Sequence, residues 1–133
     1  MKDIWFYFVR HAETDYNKLK IVQGSGVNTD INGHGRKQSS ALYHAYRHVD
    51  FKEIHVSALN RTIQTVELFI ENSSLPYVIH PELNEISWGV SEGKKSTRES
   101  LKEFRAILQG WHSGNLDCAM EGGETAFALS LRL

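Results

Sequence analysis

The stretch FVRHAET, residues 8–14, decides how this chain is read. It closes an apolar run that begins at Ile4 and reaches Val9 without polar alternation, then breaks off at Arg10 and His11. An unalternating run of that length is the pattern of a strand covered on both faces, as in the parallel sheet of an α/β protein. Sheets of that class bind ligands in the crevice beyond the carboxyl ends of their strands. His11 would stand at such a crevice with Arg10 beside it, and an arginine offers a planar fork of donors matched to phosphate oxygens. Taken alone, so short a motif is equally a strand end with two polar surface residues.

Downstream of it, residues 13–20 are polar and charged, and Gln23-Gly24-Ser25-Gly26 supplies flexible backbone able to approach an anion closely. Asn32 is placed to cap a helix running to about His48, with Leu42, Ala45, Tyr46 and Val49 on the face that packs on the sheet. His44 and His48 lie one helical turn apart, but opposite the Leu42 stripe and without further ligands, so they and His34 read as a solvated face rather than a metal site. Residues 51–57 read as a second strand, followed by a helix from about Leu59 whose stripe is Leu59, Ile63, Val66 and Ile70. Arg61 falls in the first turn of that helix, where backbone N–H groups and the helix dipole favour an anion.

A turn over residues 72–76 leads to a third short strand, 77–79, bracketed by Pro76 and Pro81. The segment LNEISWGVSEG, residues 83–93, is punctuated by glycine and carries Glu85 and Glu92 after Glu82, so it reads as a surface loop. Ser96 and Glu99 have capping-box spacing before a helix with Leu101, Phe104, Leu108 and Trp111, which Gly110 and Gly114 end. The last stretch, EGGETAFALSLRL, begins like a helix, but Leu129, Leu131 and Leu133 alternate as in a strand and neither period is sustained.

At 133 residues the chain suits one core and one domain, 1–133. A formal charge of −1 gives no global attraction to nucleic acid or an acidic membrane, so any anion site must be local. Cys118 is alone, which excludes an intrachain disulfide and points to a reduced compartment, where it acts as a small packed side chain. The N-terminal apolar run is too short for a signal-peptide core and lacks a cleavage site, and no later run could span a bilayer. A soluble, cytoplasmic protein is the expectation.

Four separated motifs, RHAETDYN from Arg10, QG at Gln23, SALNRTIQT from Ser57 and LNEISWGVSEG with Glu85, stand in register, and EGGET follows. Together they resemble the histidine phosphatase superfamily, which includes cofactor-dependent phosphoglycerate mutases and many small-molecule phosphatases. The resemblance implies a phosphoglycerate mutase-like three-layer α/β/α sandwich with a mainly parallel sheet. It also implies that His11 is the nucleophile that becomes phosphorylated, without a metal or other cofactor. Such a histidine needs one ring nitrogen free and the other held by a hydrogen bond that fixes the tautomer. Arg10 and Arg61 would grip the phosphoryl oxygens, Asn17 and the Gln23-Gly24 backbone would add neutral donors, and Glu85 would be the proton donor to the leaving group.

Two departures from the family pattern stand out. Ala12 replaces the glycine common after the catalytic histidine. The second active-site histidine of the family lies in a strand well after the GGE motif, and no histidine here matches it, since His112 precedes the motif. The fold is therefore expected to be incomplete at the C-terminus. In the family's sheet that strand lies between the one ending at His11 and the one ending near Ser57. Its lack would leave the strand from Ile4 to Val9 open to self-association. The function implied is hydrolysis of a small phosphorylated metabolite, with a phosphoglycerate mutase or a noncatalytic phosphate-binding module as alternatives. Little chain lies between Glu85 and the GGE motif for the substrate-covering elements of a mutase.

Overall fold

The computed structural model describes residues 3–133. In chain order it holds helix α1 (Asp15–Leu19), helix α2 (Gly33–Tyr46), strand β1 (Ile54–Val56), helix α3 (Asn60–Asn72), strand β2 (Tyr77–Ile79), helix α4 (Arg98–His112) and helix α5 (Ala126–Arg132). Single turns of 3-10 helix sit at Pro81–Leu83 and Gly89–Ser91. β1 and β2 run parallel, with Ile54 opposite Tyr77 and Val56 opposite Ile79, and α3 makes the crossover between them. The protein is thus a mixed α/β structure with a parallel sheet, as the sequence implies.

Short polar side chains start the helices by accepting from backbone donors that have no partner within the helix. Thr14 and Asn17 cap α1 reciprocally, Asn32 Oδ1 accepts from Gly35 N at 2.9 Å to open α2, and Thr125 opens α5. The start of α4 differs from the expected Ser96 and Glu99 pair: the box is formed one residue later by Thr97 and Ser100. Ser96 is committed elsewhere, because its N–H donates to Lys20 O at 2.9 Å beside the antiparallel bridge between Ile21 and Lys95.

Helices α2 and α3 bury positions outside the expected apolar stripes, of which Leu59 is buried and Ile63, Val66 and Ile70 are half-buried. Gly35 and Ser39 are the buried positions of α2, and Arg61, Thr65 and Phe69 those of α3. Small side chains let the helices approach closely enough for Ser39 Oγ to donate to Thr65 O at 2.9 Å. Tyr46 and Ala45 of the expected stripe are exposed. Edge-on aromatic contacts then run from Tyr43 to Phe69 (5.1 Å between centroids), Phe69 to Phe51 (5.8 Å) and Phe51 to Tyr7 (5.2 Å). Pairs of this kind contribute about 0.5–1.5 kcal/mol beyond area burial.

The run from Ile4 to Val9 departs from the expected strand. It pairs with no strand among the described residues, and Trp5, Phe6 and Phe8 are 80, 77 and 95% exposed. A strand buried on both faces needs neighbours in the sheet, and among the described residues β1 and β2 pair only with each other. Tyr7, through Phe51 and Tyr46, is where the run touches the body of the protein.

The segment read as a surface loop, residues 83–93, is anchored. Ile86 is buried, and Trp88 packs on Phe104 and Trp111 of α4 at 4.9 and 6.1 Å. Gly110 lies inside α4 and does not end it: a Cβ there would come within 2.6 Å of Cys118 Sγ, so the glycine makes room for the cysteine. The closing leucines do continue a helix, since α5 runs to Arg132, although Leu131 and Leu133 are exposed. No helix among the described residues is long and apolar enough to cross a membrane.

Candidate active site

His11 follows the extended run and is half-buried, and its Nδ1 lies 2.8 Å from Ala12 O. A carbonyl oxygen only accepts, so Nδ1 carries the proton and the lone pair of the neutral ring is on Nε2. Burial lowers the pKa of His11, a shift reinforced by the positive charges of Arg61 and Arg10 and opposed by the backbone hydrogen bond and Glu85. Ala12 is itself buried, and its N–H donates to Thr65 Oγ1 at 2.8 Å, while the Thr65 hydroxyl donates to Arg61 O at 2.6 Å. α3 thereby fixes the backbone next to His11 through the same turn that presents Arg61.

Arg61, in the first turn of α3, has no exposed area. Its Nη1 donates to Val27 O at 2.7 Å and its Nη2 to Gly24 O at 3.2 Å, so the guanidinium holds the glycine-rich loop from behind. Nη2 also stands 4.0 Å from Glu85 Oε2. Desolvation pulls the arginine's pKa below its ordinary value, and the charges of Glu85 and Glu92 push it back. Arg61 Nε and Gln23 Nε2 are buried nitrogens with no hydrogen-bond partner among the described residues. A buried donor left so costs about 1–3 kcal/mol, which an anion lying against it would relieve.

Gln23 and Asn17 meet around Thr14, which is wholly buried. The Thr14 hydroxyl donates to Gln23 Oε1 at 3.1 Å, and Thr14 N donates to Asn17 Oδ1 at 3.0 Å. Both oxygens are thus occupied, and it is their amide nitrogens that remain to be offered. Arg10 is exposed and makes no hydrogen bond among the described residues, yet lies close enough to His11 to act on its charge. Glu85 is brought to Arg61 because Asn84 Oδ1 accepts from Ala58 N at 2.9 Å, tying residues 84 and 85 to the end of β1.

Two carboxylates that the sequence did not single out organise these loops. Glu92 Oε1 accepts from Trp88 N at 2.7 Å and Ser87 Oγ at 3.2 Å, with its carboxylate against Gly24 and Gly26. Glu124, in the quoted EGGET motif, pairs with Arg132 at 2.6 Å, and the hydrogen bond to Arg132 holds its pKa below the usual carboxylate range. The glycines before Glu124 pack on Gly89, which has φ +54° and where a Cβ would fall 2.1 Å from Glu121 O. His34, His44 and His48 are exposed, and no group of three or more metal-ligating side chains is gathered among the described residues.

The family model of the histidine phosphatase superfamily (branch 1) matches residues 6–133. The chain is 33% identical to the fructose-2,6-bisphosphatase TIGAR of Mus musculus over 131 residues, covering 93% of this chain and 46% of that protein. It is 29% identical to the adenosylcobalamin/alpha-ribazole phosphatase of Salmonella typhimurium over 110 residues, covering 80% of this chain and 54% of that protein. The crystal structure of the alpha-ribazole phosphatase from Shigella flexneri superposes with a TM-score of 0.73 at 29% identity, covering 93% of this chain and 60% of that one. The chain spans about half the length of the curated relatives it matches.

Proposed function

The chain belongs to the histidine phosphatase superfamily, and from that premise we propose that it hydrolyses a phosphomonoester of a small metabolite through a phosphohistidine on His11. The observation that carries this reading is the His11 Nδ1 hydrogen bond to Ala12 O, which leaves Nε2 free to attack. Nε2 donates its electron pair to phosphorus while the bond from phosphorus to the leaving oxygen breaks. Glu85, in its protonated form, supplies the proton that oxygen takes, since an alkoxide leaves poorly without one. Water then attacks phosphorus, its proton passes to the Glu85 carboxylate, and the electron pair of the phosphorus–nitrogen bond returns to Nε2.

Charge on the transferring phosphoryl oxygens is met by Arg61 and Arg10, with Asn17, Gln23 and Gly24 as neutral neighbours; positioning and charge stabilisation carry most of the catalysis in such transfers. The relatives above are named for small phosphorylated substrates, which favours that substrate class. We read residues 1–133 as a single domain, and the exposure of Trp5, Phe6 and Phe8 favours self-association of two copies through the run from Ile4 to Val9.

The test is labelling with a radioactive phosphomonoester. Wild type should yield an acid-labile, base-stable label that His11→Ala lacks. Glu85→Gln should slow hydrolysis of alkyl phosphates by about 10²–10⁴-fold, the usual worth of a positioned general acid, and of activated aryl phosphates far less. An undiminished label in His11→Ala would overturn the reading, and isomerisation of a phosphoglycerate in place of hydrolysis would make the protein a mutase.

A further inference from the structure

We propose that Arg132, locked by Glu124, is the positioning residue that sets Glu85 in place. The proposal rests on reading Glu85 as the proton donor. Arg132 lies 47 residues from Glu85 in the chain, yet its guanidinium reaches the carbonyls of the segment that carries it. Nη1 donates to Glu82 O, and Nη2 donates to Asn84 O at 2.9 Å, with Glu85 O at 3.4 Å. The other edge of the fork is held by Glu124, with Nε on Oε1 at 2.6 Å and Nη2 on Oε2 at 2.9 Å.

Glu124 grips the same segment directly. Its N–H donates to Ser87 O at 2.8 Å and its Oε2 accepts from Ser87 N at 3.3 Å. Residues 82–87 are therefore held on both sides of Glu85 by one ion pair, and α5 fixes the spacing of its two members. The side chains are only 24 and 17% exposed, so this is not a solvated surface pair of little consequence. The Glu85 side chain is 41% exposed, and among the described residues its carboxylate meets Arg61 alone, at 4.0 Å. The backbone beneath it, rather than contacts of its own carboxyl group, must then set its direction. A proton donor has to reach its oxygen at hydrogen-bond distance, and a misplacement of 1 Å can cost about 10²-fold.

A lysine keeps the charge of Arg132 but has no fork to bridge Glu124 and the carbonyls together. Arg132→Lys should lower kcat for alkyl phosphates by roughly ten- to a hundredfold, leave activated aryl phosphates within about twofold, and leave inorganic phosphate affinity unchanged. Glu124→Gln, which preserves size, should follow the same pattern more mildly. Amide exchange at Ser87 and Glu124 should accelerate in both variants, while amides of α3 keep their rates. Equal losses on both substrate types, weakened phosphate binding, or unchanged exchange at Ser87 would overturn the proposal. A Glu85→Gln enzyme assayed alongside separates the two readings. If it shows no leaving-group dependence, the proton-donor role fails by itself, and the exchange rates then decide whether Arg132 holds the segment.

Discussion

Arg61 Nη2 stands 4.0 Å from Glu85 Oε2, a fully buried cation facing a carboxylate that reaches solvent. The arginine also donates to the loop carbonyls of Val27 and Gly24, and its Nε has no partner among the described residues. It supports the glycine loop and, in the proposed mechanism, would also present a buried positive charge to the phosphoryl group.

Replacing Arg61 should therefore damage binding and folding together. A lysine cannot reach both carbonyls, and each left unpaired costs about 1–3 kcal/mol. Arg61→Lys should lower the unfolding free energy by about that amount in denaturant titration. Hydrogen bonds to charged groups contribute about 1.5–3 kcal/mol, so calorimetry should show inorganic phosphate bound roughly 10- to 100-fold more weakly. Unaltered phosphate affinity would remove Arg61 from the site.

His11 sets the acid limit. Burial holds its pKa below the ordinary value of about 6.5, so the neutral, attacking form persists as the solution is acidified past that value. The pH profile of label formation, and the imidazole titration followed by NMR, should both break below about 6.5. The unfolded chain takes up the proton first as pH falls, so His11 contributes a loss of stability between about pH 6.5 and its lower folded value. His11→Ala should flatten that part of the stability curve. A break above pH 6.5 would contradict the burial argument.

Gly24 and Gly26 offer a controlled pair. A Cβ on Gly24 would meet Glu92 Oε1 at 2.2 Å and the backbone oxygen of Ile86 at 2.6 Å, whereas one on Gly26 meets only the Glu92 carboxylate, at 2.6 Å and beyond. Backbone cannot yield as a side-chain end can. Gly24→Ala should cost about 1–3 kcal/mol, the usual range for overpacking, and Gly26→Ala clearly less. Thermal unfolding of the two proteins makes the comparison, and equal costs would place the clash wholly on Glu92.

The run from Ile4 to Val9 is in no strand among the described residues and exposes Trp5 and Phe8. Such a run is self-complementary across a two-fold axis, and charge is what blocks it. Sedimentation equilibrium should show concentration-dependent association of wild type that is lost in the Trp5→Glu, Phe8→Lys double variant. A wild-type monomer at every concentration would rule this surface out.

What the sequence settled by itself was local structure: the Asn32 cap and the strand at Tyr77–Ile79 were legible because caps and turns act over a few residues. His11, Arg61 and Glu85 could be named as candidates because each sits in a short motif. Tertiary structure decided the rest, since burial depends on what lies opposite. Leu59, Ile63, Val66 and Ile70 form a convincing stripe, yet of these Leu59 alone is buried, and α3 itself buries Arg61 under the loop of residues 24–27, Thr65 against Ser39 and Phe69 against Tyr43 and Phe51. The run from Ile4 to Val9 has the composition of a central strand, but a strand exists only through hydrogen bonds to neighbours, and β1 and β2 pair with each other. The capping box moved to Thr97 because the Ser96 N–H went to Lys20, a partner 76 residues away. Glu92 and Glu124 lie in the quoted motifs, but neither they nor Arg132 carried a local sign of which partner each would take, because a charged side chain acquires that role only when folding removes it from water and sets a partner against it.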